Sequence, residues 1–247
     1  MCAVSAPFAP FATMAAQFKY DGVWVDAEHR PWDPREVELM LARHFMADID
    51  CMWRPPTKEK GALYRLLEDG ATGLMIPHVS TPEQARELVQ AVKFPPLGDR
   101  GIDGSGLDTD FIIRSQKDYT THANRETFLV VQIETPQALE NAAAIAAVPG
   151  VDVLFIGPGD LSLRLGCTAA VNDPVMLDAQ KKVAAVAKQH GKAWGRPVGA
   201  ADDAHAIIQL GAQLVAFGSA HWGIHNHLAE CAAHFDEMLG GTAGKTS

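Results

Sequence analysis

The chain has 247 residues, of which 47% are hydrophobic, and a formal net charge of −9. This length suits one well-buried domain, such as a single (β/α)8 barrel. The acidic balance, without a concentrated basic face, argues against nucleic acid as a partner. The sequence contains neither an apolar run of membrane-spanning length nor a signal-peptide pattern, so we expect a cytoplasmic protein without a membrane partner.

The cysteines argue against a disulfide framework and against a zinc site. Both kinds of site favour closely spaced cysteines, and this chain has no Cys-x-x-Cys pair. We therefore expect four reduced thiols, at Cys2, Cys51, Cys167 and Cys231.

The first part of the chain alternates short apolar runs with segments of helical periodicity. Strands are predicted at residues 1–5, 22–26, 50–53 and 73–76, and helices at 7–18, 33–45, 57–68 and 81–93. Asp33-Pro34 and Thr81-Pro82 each place a capping side chain before a proline, which the first turn of a helix tolerates.

The same alternation continues to the C-terminus after a long irregular segment. Residues 94–110 are rich in Gly, Pro and Asp and too long for an ordinary connection, which predicts a functional loop or lid. Further strands are predicted at 128–133, 151–156, 192–195 and 213–218, and helices at 115–124, 135–148, 174–190, 202–210 and 224–239. Eight strand–helix alternations predict a (β/α)8 TIM barrel, as one domain over residues 1–239 with a flexible tail over 240–247.

Two carboxylates follow neighbouring predicted strands. Strand 128–133 leads directly to Glu134, and strand 151–156 leads through a Gly-Pro-Gly turn to Asp160. Parallel strands end at the same rim, so the two side chains should lie close together, where a divalent cation would relieve their repulsion. Water and a bidentate oxyanion substrate would complete the coordination of Mg²⁺ or Mn²⁺. The alternative is that one carboxylate caps a helix and the other pairs with an arginine.

The turn before Asp160 is a second signal. Free backbone N–H groups at the start of a helix favour an anion, so a substrate carboxylate could bind at Gly157–Asp160. An ordinary tight turn is the competing interpretation.

Arg54 and His29 also follow predicted strands. Arg54 could neutralise a developing enolate oxygen, although a structural salt bridge at the rim explains an arginine there equally well. Histidine titrates at about pH 6.5, which suits His29 to acid–base work, but the chain has ten histidines. Three more, His221, His225 and His227, are better explained as a solvated start of a helix than as a metal site. No lysine stands at a strand end, so a Schiff-base mechanism lacks an obvious nucleophile and a metal is expected to stabilise the carbanion.

Six segments in order resemble the HpcH/HpaI aldolase family, the metal-dependent pyruvate aldolases related to the citrate lyase β and malyl-CoA lyase group. The similarity extends from about residue 4 to residue 223. The segments are VDAEHR (25–30), WRPP (53–56), LLEDGATGLMIP (66–77), FPPLGDRG (94–101), VQIET (131–135) and GVDVLFIGPGDLSLRLG (150–166).

The resemblance implies a class II aldolase that cleaves a 4-hydroxy-2-oxo acid, such as a 2-keto-3-deoxy sugar acid, to pyruvate and an aldehyde. Glu134 and Asp160 would bind Mg²⁺, Mn²⁺ or Co²⁺, which the 2-oxo acid would chelate. The substrate carboxylate would also contact the amides of Gly159 and Asp160. By the same resemblance Arg54 would stabilise the pyruvate enolate, His29 would act in proton transfer, and Gln132 would line the site.

The chain departs from the family pattern at two places near this site. Relatives usually carry an Asp paired with the catalytic His at the position of Glu68, so Glu68 is a candidate catalytic partner of His29, displaced or bridged by water. After the eighth strand, relatives often have Gly-Ser-Asp where this chain has Gly218-Ser219-Ala220. The family's N-terminal helix and part of its first strand have no counterpart before Met1, which fits either a short form or a misplaced start.

The resemblance further implies a hexamer, a trimer of dimers with exchanged C-terminal helices. The helix predicted at 224–239 has an apolar stripe that such an exchange needs, although the stripe could also pack on its own barrel. Two other functions remain open from the sequence: a CoA-ester lyase of the malyl/citramalyl type, and a non-catalytic barrel that binds a 2-oxo acid. The short chain without a basic patch for a CoA phosphate disfavours the first. The presence of His29, Arg54, Glu134 and Asp160 together disfavours the second, because a binding protein has no need of the base.

Overall fold

The computed structural model describes residues 1–113 and 116–240, with the side chains of 116–118 excepted. Eight parallel strands form one sheet in sequence order. The strands are β1 Cys2–Val4, β2 Gly22–Asp26, β3 Asp50–Arg54, β4 Gly73–Ile76, β5 Phe128–Ile133, β6 Val153–Ile156, β7 Ala193–Val198 and β8 Leu214–Phe217. A bridge between Ala3 and Ser219 and the hydrogen bond from Phe217 N–H to the Met1 carbonyl (2.9 Å) join β8 to β1. The predicted (β/α)8 barrel is confirmed.

Helices connect the strands around the outside of the barrel. They are α1 Pro10–Gln17, α2 Pro34–Met46, α3 Lys60–Glu68, α4 Pro82–Val92, α5 Gln116–Glu126, α6 Pro136–Glu140, α7 Ala142–Ala146, α8 Pro158–Leu165, α9 Pro174–His190, α10 Ala201–Gln209 and α11 Ala220–Met238. The expected caps form: Asp33 makes a capping box with Glu36, and Thr81 accepts the Gln84 N–H at 3.3 Å.

Two hydrophobic layers stabilise the barrel. Side chains alternate along each strand, so one set faces the helices and the other fills the interior of the barrel. The interior layer consists of Trp24, Met52, Met75, Val130, Val153, Phe155 and Ala216. Trp24 and Phe155 meet edge to face with ring centroids 5.8 Å apart. The interior is therefore packed below the strand ends, and a ligand must bind at the rim.

Two helical expectations need correction. The segment 135–148, predicted as one helix, forms α6 and α7 with a break at Asn141, whose side-chain amide donates to the Ser80 carbonyl at 2.8 Å. The segment after β6, treated in the sequence as a turn, is the start of α8, which begins at Pro158.

The long segment 94–110 does not cover the strand ends of its own barrel. It contains one 3-10 turn, Leu107–Thr109, which packs against α3. Asp99 N–H donates to the Gln90 carbonyl and Arg100 N–H to the Lys93 carbonyl, both at 3.0 Å. Because α4 runs antiparallel to the strands, the residues after it start at the opposite end of the barrel. The predicted lid is therefore not formed over this chain's own strand ends.

The last helix, α11, leaves the barrel with no buried residue. Its apolar side chains Trp222, Ile224, Leu228, Phe235 and Met238 are exposed, as is Leu239, which follows the helix. The alternative that this stripe packs on its own barrel is therefore wrong.

Several other expectations concern the chain as a whole. The four cysteines are free, as predicted. Within residues 1–113 and 116–240, no helix is both long and apolar enough to cross a membrane. The predicted start of the helix at Ser115 and the tail 241–247 lie outside the described residues.

Candidate active site

Five neighbouring strands deliver polar side chains to one rim of the barrel. Asp26 and Arg54 are the last residues of β2 and β3, and Glu134 follows β5 directly. His78 stands two residues beyond β4, and Asp160 lies in the first turn of α8, just after β6. The shared strand direction puts all of these side chains at the carboxyl end of the sheet, as the sequence predicted for Arg54, Glu134 and Asp160.

Arg54 is held in place by two carboxylates and an amide. Its Nε and Nη2 donate to Asp26 Oδ1 and Oδ2 at 2.8 and 2.7 Å, and Nη1 lies 2.7 Å from Glu28 Oε2. Nη1 also donates to Gln132 Oε1 at 3.2 Å, and the guanidinium lies over the Trp24 ring, 4.9 Å from its centroid. Arg54 therefore forms salt bridges at the rim, as the structural interpretation predicted. It also lies beside the other candidate residues.

Glu134 is the most buried carboxylate of the rim. It is 2% exposed, and its Oε1 accepts the His78 backbone N–H at 2.6 Å and lies 3.0 Å from His78 Nδ1. Burial raises the pKa of Glu134, His78 counteracts this in part, and the charges of Glu28 and Asp160 raise it further. Because the buried Glu134 carboxylate lies near two other carboxylates, a bound cation would stabilise its ionised form.

Gly157 allows β6 to end against Glu134. A Cβ on Gly157 would lie 2.3 Å from Glu134 Oε2 and 3.0 Å from Glu134 Cβ, so the carboxylate would have to move. Glycine at this position therefore lets the Glu134 side chain lie against the start of α8.

Asp160 pairs with an arginine of its own helix. Its Oδ1 accepts from Arg164 Nη1 at 2.5 Å, and the same Nη1 lies 3.4 Å from the Glu134 carbonyl oxygen. Arg164 thus ties Asp160 to the end of β5. The amides of Gly159 and Asp160 belong to the first turn of α8, where N–H groups have no partner within the helix. The space above Gly159 is open, because a Cβ there would meet nothing within 4 Å.

His29 and Glu68 are not brought together within one chain. His29 is exposed (65%), and its Nε2 lies 3.6 Å from Glu28 Oε2. Glu68 is the last residue of α3, at the far end of the barrel, where the charges of Arg100 and Asp108 act on it and burial raises its pKa. The reason is again the antiparallel course of the helix, which carries its C-terminal residue away from the carboxyl ends of the strands.

Four functional candidates were missed in the sequence: Asp26, Glu28, His78 and Lys58. Asp26 and Glu28 stood inside the VDAEHR segment beside His29, which was the available signal. Lys58 lies in the loop after β3, but its Nζ donates to the His78 carbonyl at 2.8 Å. Burial lowers the pKa of Lys58, and the charges of Glu134 and Glu28 oppose that shift. Lys58 does not end a strand, so the sequence observation stands, but the loop after β3 brings its ammonium to the rim.

The carboxylates fit an open metal site better than a closed one. No group of three or more His, Cys, Asp or Glu side chains is arranged to hold a metal in residues 1–113 and 116–240. Glu134 and Asp160 supply hard oxygen ligands, which Mg²⁺ and Mn²⁺ accept in ones or twos when water and substrate complete the shell. The donor set is thus compatible with a divalent cation that also binds a substrate.

A cavity of about 980 Å³ opens beside the rim, between Pro158, α1 and the start of α11. Trp24 lines it, and the indole Nε1, buried within a side chain 9% exposed, has no hydrogen-bond partner among the described residues. The rim therefore has room next to it for a second reactant.

Comparisons with known proteins agree with this architecture. A hydroxypyruvate/pyruvate aldolase of Deinococcus radiodurans is 38% identical over 209 residues, covering 84% of this chain and 74% of that protein. A 5-keto-4-deoxy-D-glucarate aldolase of Klebsiella pneumoniae is 34% identical, covering 88% and 84%. The crystal structure of an HpcH/HpaI aldolase from Desulfitobacterium hafniense superposes with a TM-score of 0.90 at 30% identity, covering 95% and 92%.

The sequence profile of one family extends over nearly the whole barrel. The profile described as HpcH/HpaI aldolase/citrate lyase matches residues 3–225, which include every rim residue named above. The chain therefore belongs to the HpcH/HpaI aldolase/citrate lyase family, as the resemblance predicted, and is an enzyme of the lyase class.

Proposed function

We propose that the protein is a metal-dependent class II aldolase that cleaves a 4-hydroxy-2-oxo acid reversibly to pyruvate and an aldehyde. The observation that carries the proposal is the position of Arg54, which is held by Asp26 and Glu28 and donates to Gln132, two residues before Glu134. An immobilised cation beside a buried carboxylate is suited to an enolate oxygen, where negative charge develops during the reaction.

Glu134 and Asp160 would hold the divalent metal, Mg²⁺, Mn²⁺ or Co²⁺. When bound, such an ion acts as a Lewis acid toward the keto group of a 2-oxo acid. Gly157 leaves room for the Glu134 carboxylate, because a Cβ at that position would lie 2.3 Å from Oε2.

Arg54 retains one donor for the substrate. Asp26 takes the Nε–H and one N–H of Nη2, while Nη1 faces Glu28 and Gln132. This leaves the second N–H of Nη2 without a partner among the described residues. A prepositioned N–H of a permanently charged group stabilises the enolate without reorganisation at the moment of reaction.

The start of α8 would bind the substrate carboxylate. The N–H groups of Gly159 and Asp160 and the positive end of the helix dipole favour an anion there. This contact would orient the 2-oxo acid with its carbonyl toward Arg54.

His29 would move the proton of the hydroxyl group. In the cleavage direction the C4 hydroxyl loses its proton to His29, the C3–C4 bond breaks, and its electron pair forms the enolate of pyruvate. The aldehyde leaves, and a proton added at C3 completes pyruvate. The exposure of His29 and its neighbour Glu28, 3.6 Å away, suit a proton relay through water.

The relatives suggest two substrate classes for this chain. Their names point to pyruvate or hydroxypyruvate as the nucleophile and to a 4-deoxy-5-keto sugar acid as one cleavable substrate. We propose pyruvate as the shared product.

Deuterium exchange into the methyl group of pyruvate, followed by NMR, tests the proposal without knowledge of the aldehyde. Exchange that requires Mn²⁺ or Mg²⁺ and stops with EDTA is expected. Absence of exchange with every metal, in a folded protein, would contradict the proposal and favour the CoA-ester lyase.

We also propose that α11 docks on a neighbouring subunit, as the family resemblance implies for a hexamer. The support is that α11 buries none of its apolar side chains on its own barrel. A stripe of this size exposed to water is unfavourable, and a second copy of the chain would cover it.

A further inference from the structure

The strongest unexplained contacts at the rim belong to His78. Its backbone has φ +53°, in the left-handed region that residues other than glycine rarely adopt. The chain on its C-terminal side is anchored, because Ser80 Oγ lies 2.9 Å from Thr135 Oγ1 and the Ser80 N–H donates to Gln84 Oε1 at 2.7 Å. An unusual conformation that the surroundings hold in place often marks a functional position.

The left-handed conformation directs two groups of His78 at one oxygen. The backbone N–H donates to Glu134 Oε1 at 2.6 Å, and Nδ1 lies 3.0 Å from the same atom. Glu134 Oε2 accepts no hydrogen bond from the described residues and faces Gly157. His78 therefore occupies one oxygen of this carboxylate and leaves Oε2 without a hydrogen-bond donor among the described residues.

Lys58 holds His78 from the other side. Its Nζ donates to the His78 carbonyl at 2.8 Å, and the ring Nε2 of His78 lies 3.6 Å from Glu28 Oε1. The ammonium, the left-handed peptide and Glu134 thus form one continuous chain of contacts from the loop after β3 to the end of β5.

We propose that His78, fixed by Lys58, is a positioning residue that makes Glu134 a one-oxygen metal ligand through Oε2. The inference rests on the proposed metal site and adds residues to it. His78 orients a ligand and need not touch the metal or the substrate. Groups that hydrogen-bond a ligand from the second shell commonly change metal affinity about 10- to 100-fold when removed.

Mn²⁺ titrations followed by the electron paramagnetic resonance signal of the free ion test the role of His78. The proposal predicts a graded loss of affinity: His78→Gly, which keeps the left-handed backbone but loses the ring, weakens binding about 10-fold. His78→Ala weakens binding further because its Cβ disfavours that backbone. Equal losses in both variants would assign the effect to the ring alone, and no loss in either would overturn the proposal.

The direction in which Mn²⁺ affinity changes when Lys58 is substituted separates two roles. Lys58 either holds His78 in place or acts only through its charge. Removing an ammonium near a cation site should tighten metal binding if charge alone matters. If Lys58 instead holds His78 in place, we expect the opposite, a severalfold weaker Mn²⁺ affinity in Lys58→Met. Lys60→Met is the matched control, because Lys60 lies two residues further along the chain and pairs with the exposed Asp99 instead of a rim residue. Tighter or unchanged binding in Lys58→Met would remove Lys58 from the proposal.

Two further measurements keep the outcomes distinct. His78→Asn keeps a residue that tolerates the left-handed region, so it provides a folded variant if His78→Ala fails to fold, as judged by circular dichroism. If the native protein and the His78 variants bind Mn²⁺ with equal affinity, the positioning role is wrong but the proposed function stands. Native protein that binds no Mn²⁺ would contradict the proposed function, and the positioning role with it.

Discussion

Asp26 and Arg54 are register partners at the ends of β2 and β3, and their side chains form a two-bond ion pair. The parallel ladder thus delivers the arginine and its carboxylate to the rim as one unit. Such fork-to-carboxylate pairs fix direction as well as charge. The orientation of Arg54 is therefore built into the sheet, before any substrate binds.

This relationship predicts the effect of Asp26→Asn. The amide cannot accept both N–H groups of Arg54, so the guanidinium loses its fixed orientation while its charge remains. We expect pyruvate methyl exchange to slow about 100-fold, as misplacement of a catalytic group does, with an unchanged fold. An exchange rate within twofold of the native rate would show that Glu28 and Gln132 suffice to hold Arg54.

Asp160→Ala should abolish metal-dependent turnover without unfolding the barrel. The side chain lies on the first turn of α8 and contacts Arg164, so its loss leaves the core intact. Calorimetry with Mn²⁺ measures the affinity directly. An unchanged affinity would remove Asp160 from the ligand set.

His29→Ala should slow aldol cleavage far more than it weakens pyruvate binding. A general acid–base group contributes about 10²- to 10⁴-fold to the rate, whereas His29 has no predicted contact with the pyruvate carboxylate. The check is a comparison of kcat for cleavage with the Kd of pyruvate. A normal kcat would exclude His29 from the mechanism.

Gly157→Ala should disturb Glu134 through sterics alone. The added Cβ would lie 2.3 Å from Oε2, so either the carboxylate or the end of β6 must move. Overpacking of this kind costs about 1–3 kcal/mol of folding free energy, and the displaced ligand should also weaken Mn²⁺ binding. Gly199→Ala is the control, because a Cβ there meets nothing within 4 Å. Equal stability and Mn²⁺ affinity in the two variants would mean that the rim adapts freely.

Leu228→Glu should reduce the assembly state if α11 docks on a neighbour. The substitution places a charge in the middle of the apolar stripe, where desolvation on docking is unfavourable. Light scattering during gel filtration reports the mass of native and variant protein. A native protein that already elutes as a monomer would contradict the proposed exchange of helices.

The sequence by itself determined the barrel and the positions of Glu134, Asp160 and Arg54. Strands buried on both faces must be apolar throughout, and helices between them need a 3.6-residue period, so both leave a readable pattern. The first polar residue after such a strand necessarily lies at the rim. All of these features depend only on the order of residues within one strand or helix and the residues that follow it.

Only the tertiary structure decided which side chains meet. Asp26 and Arg54 are 28 residues apart in the sequence, and Lys58 and His78 are 20 residues apart. Whether the side chains of such pairs touch depends on strand register and on rotamers. Glu68 lies at the end of the barrel opposite His29, because α3 runs antiparallel to the strands. Likewise, the stripe on α11 has the same period whether it packs or projects, because periodicity defines a face and not what covers it.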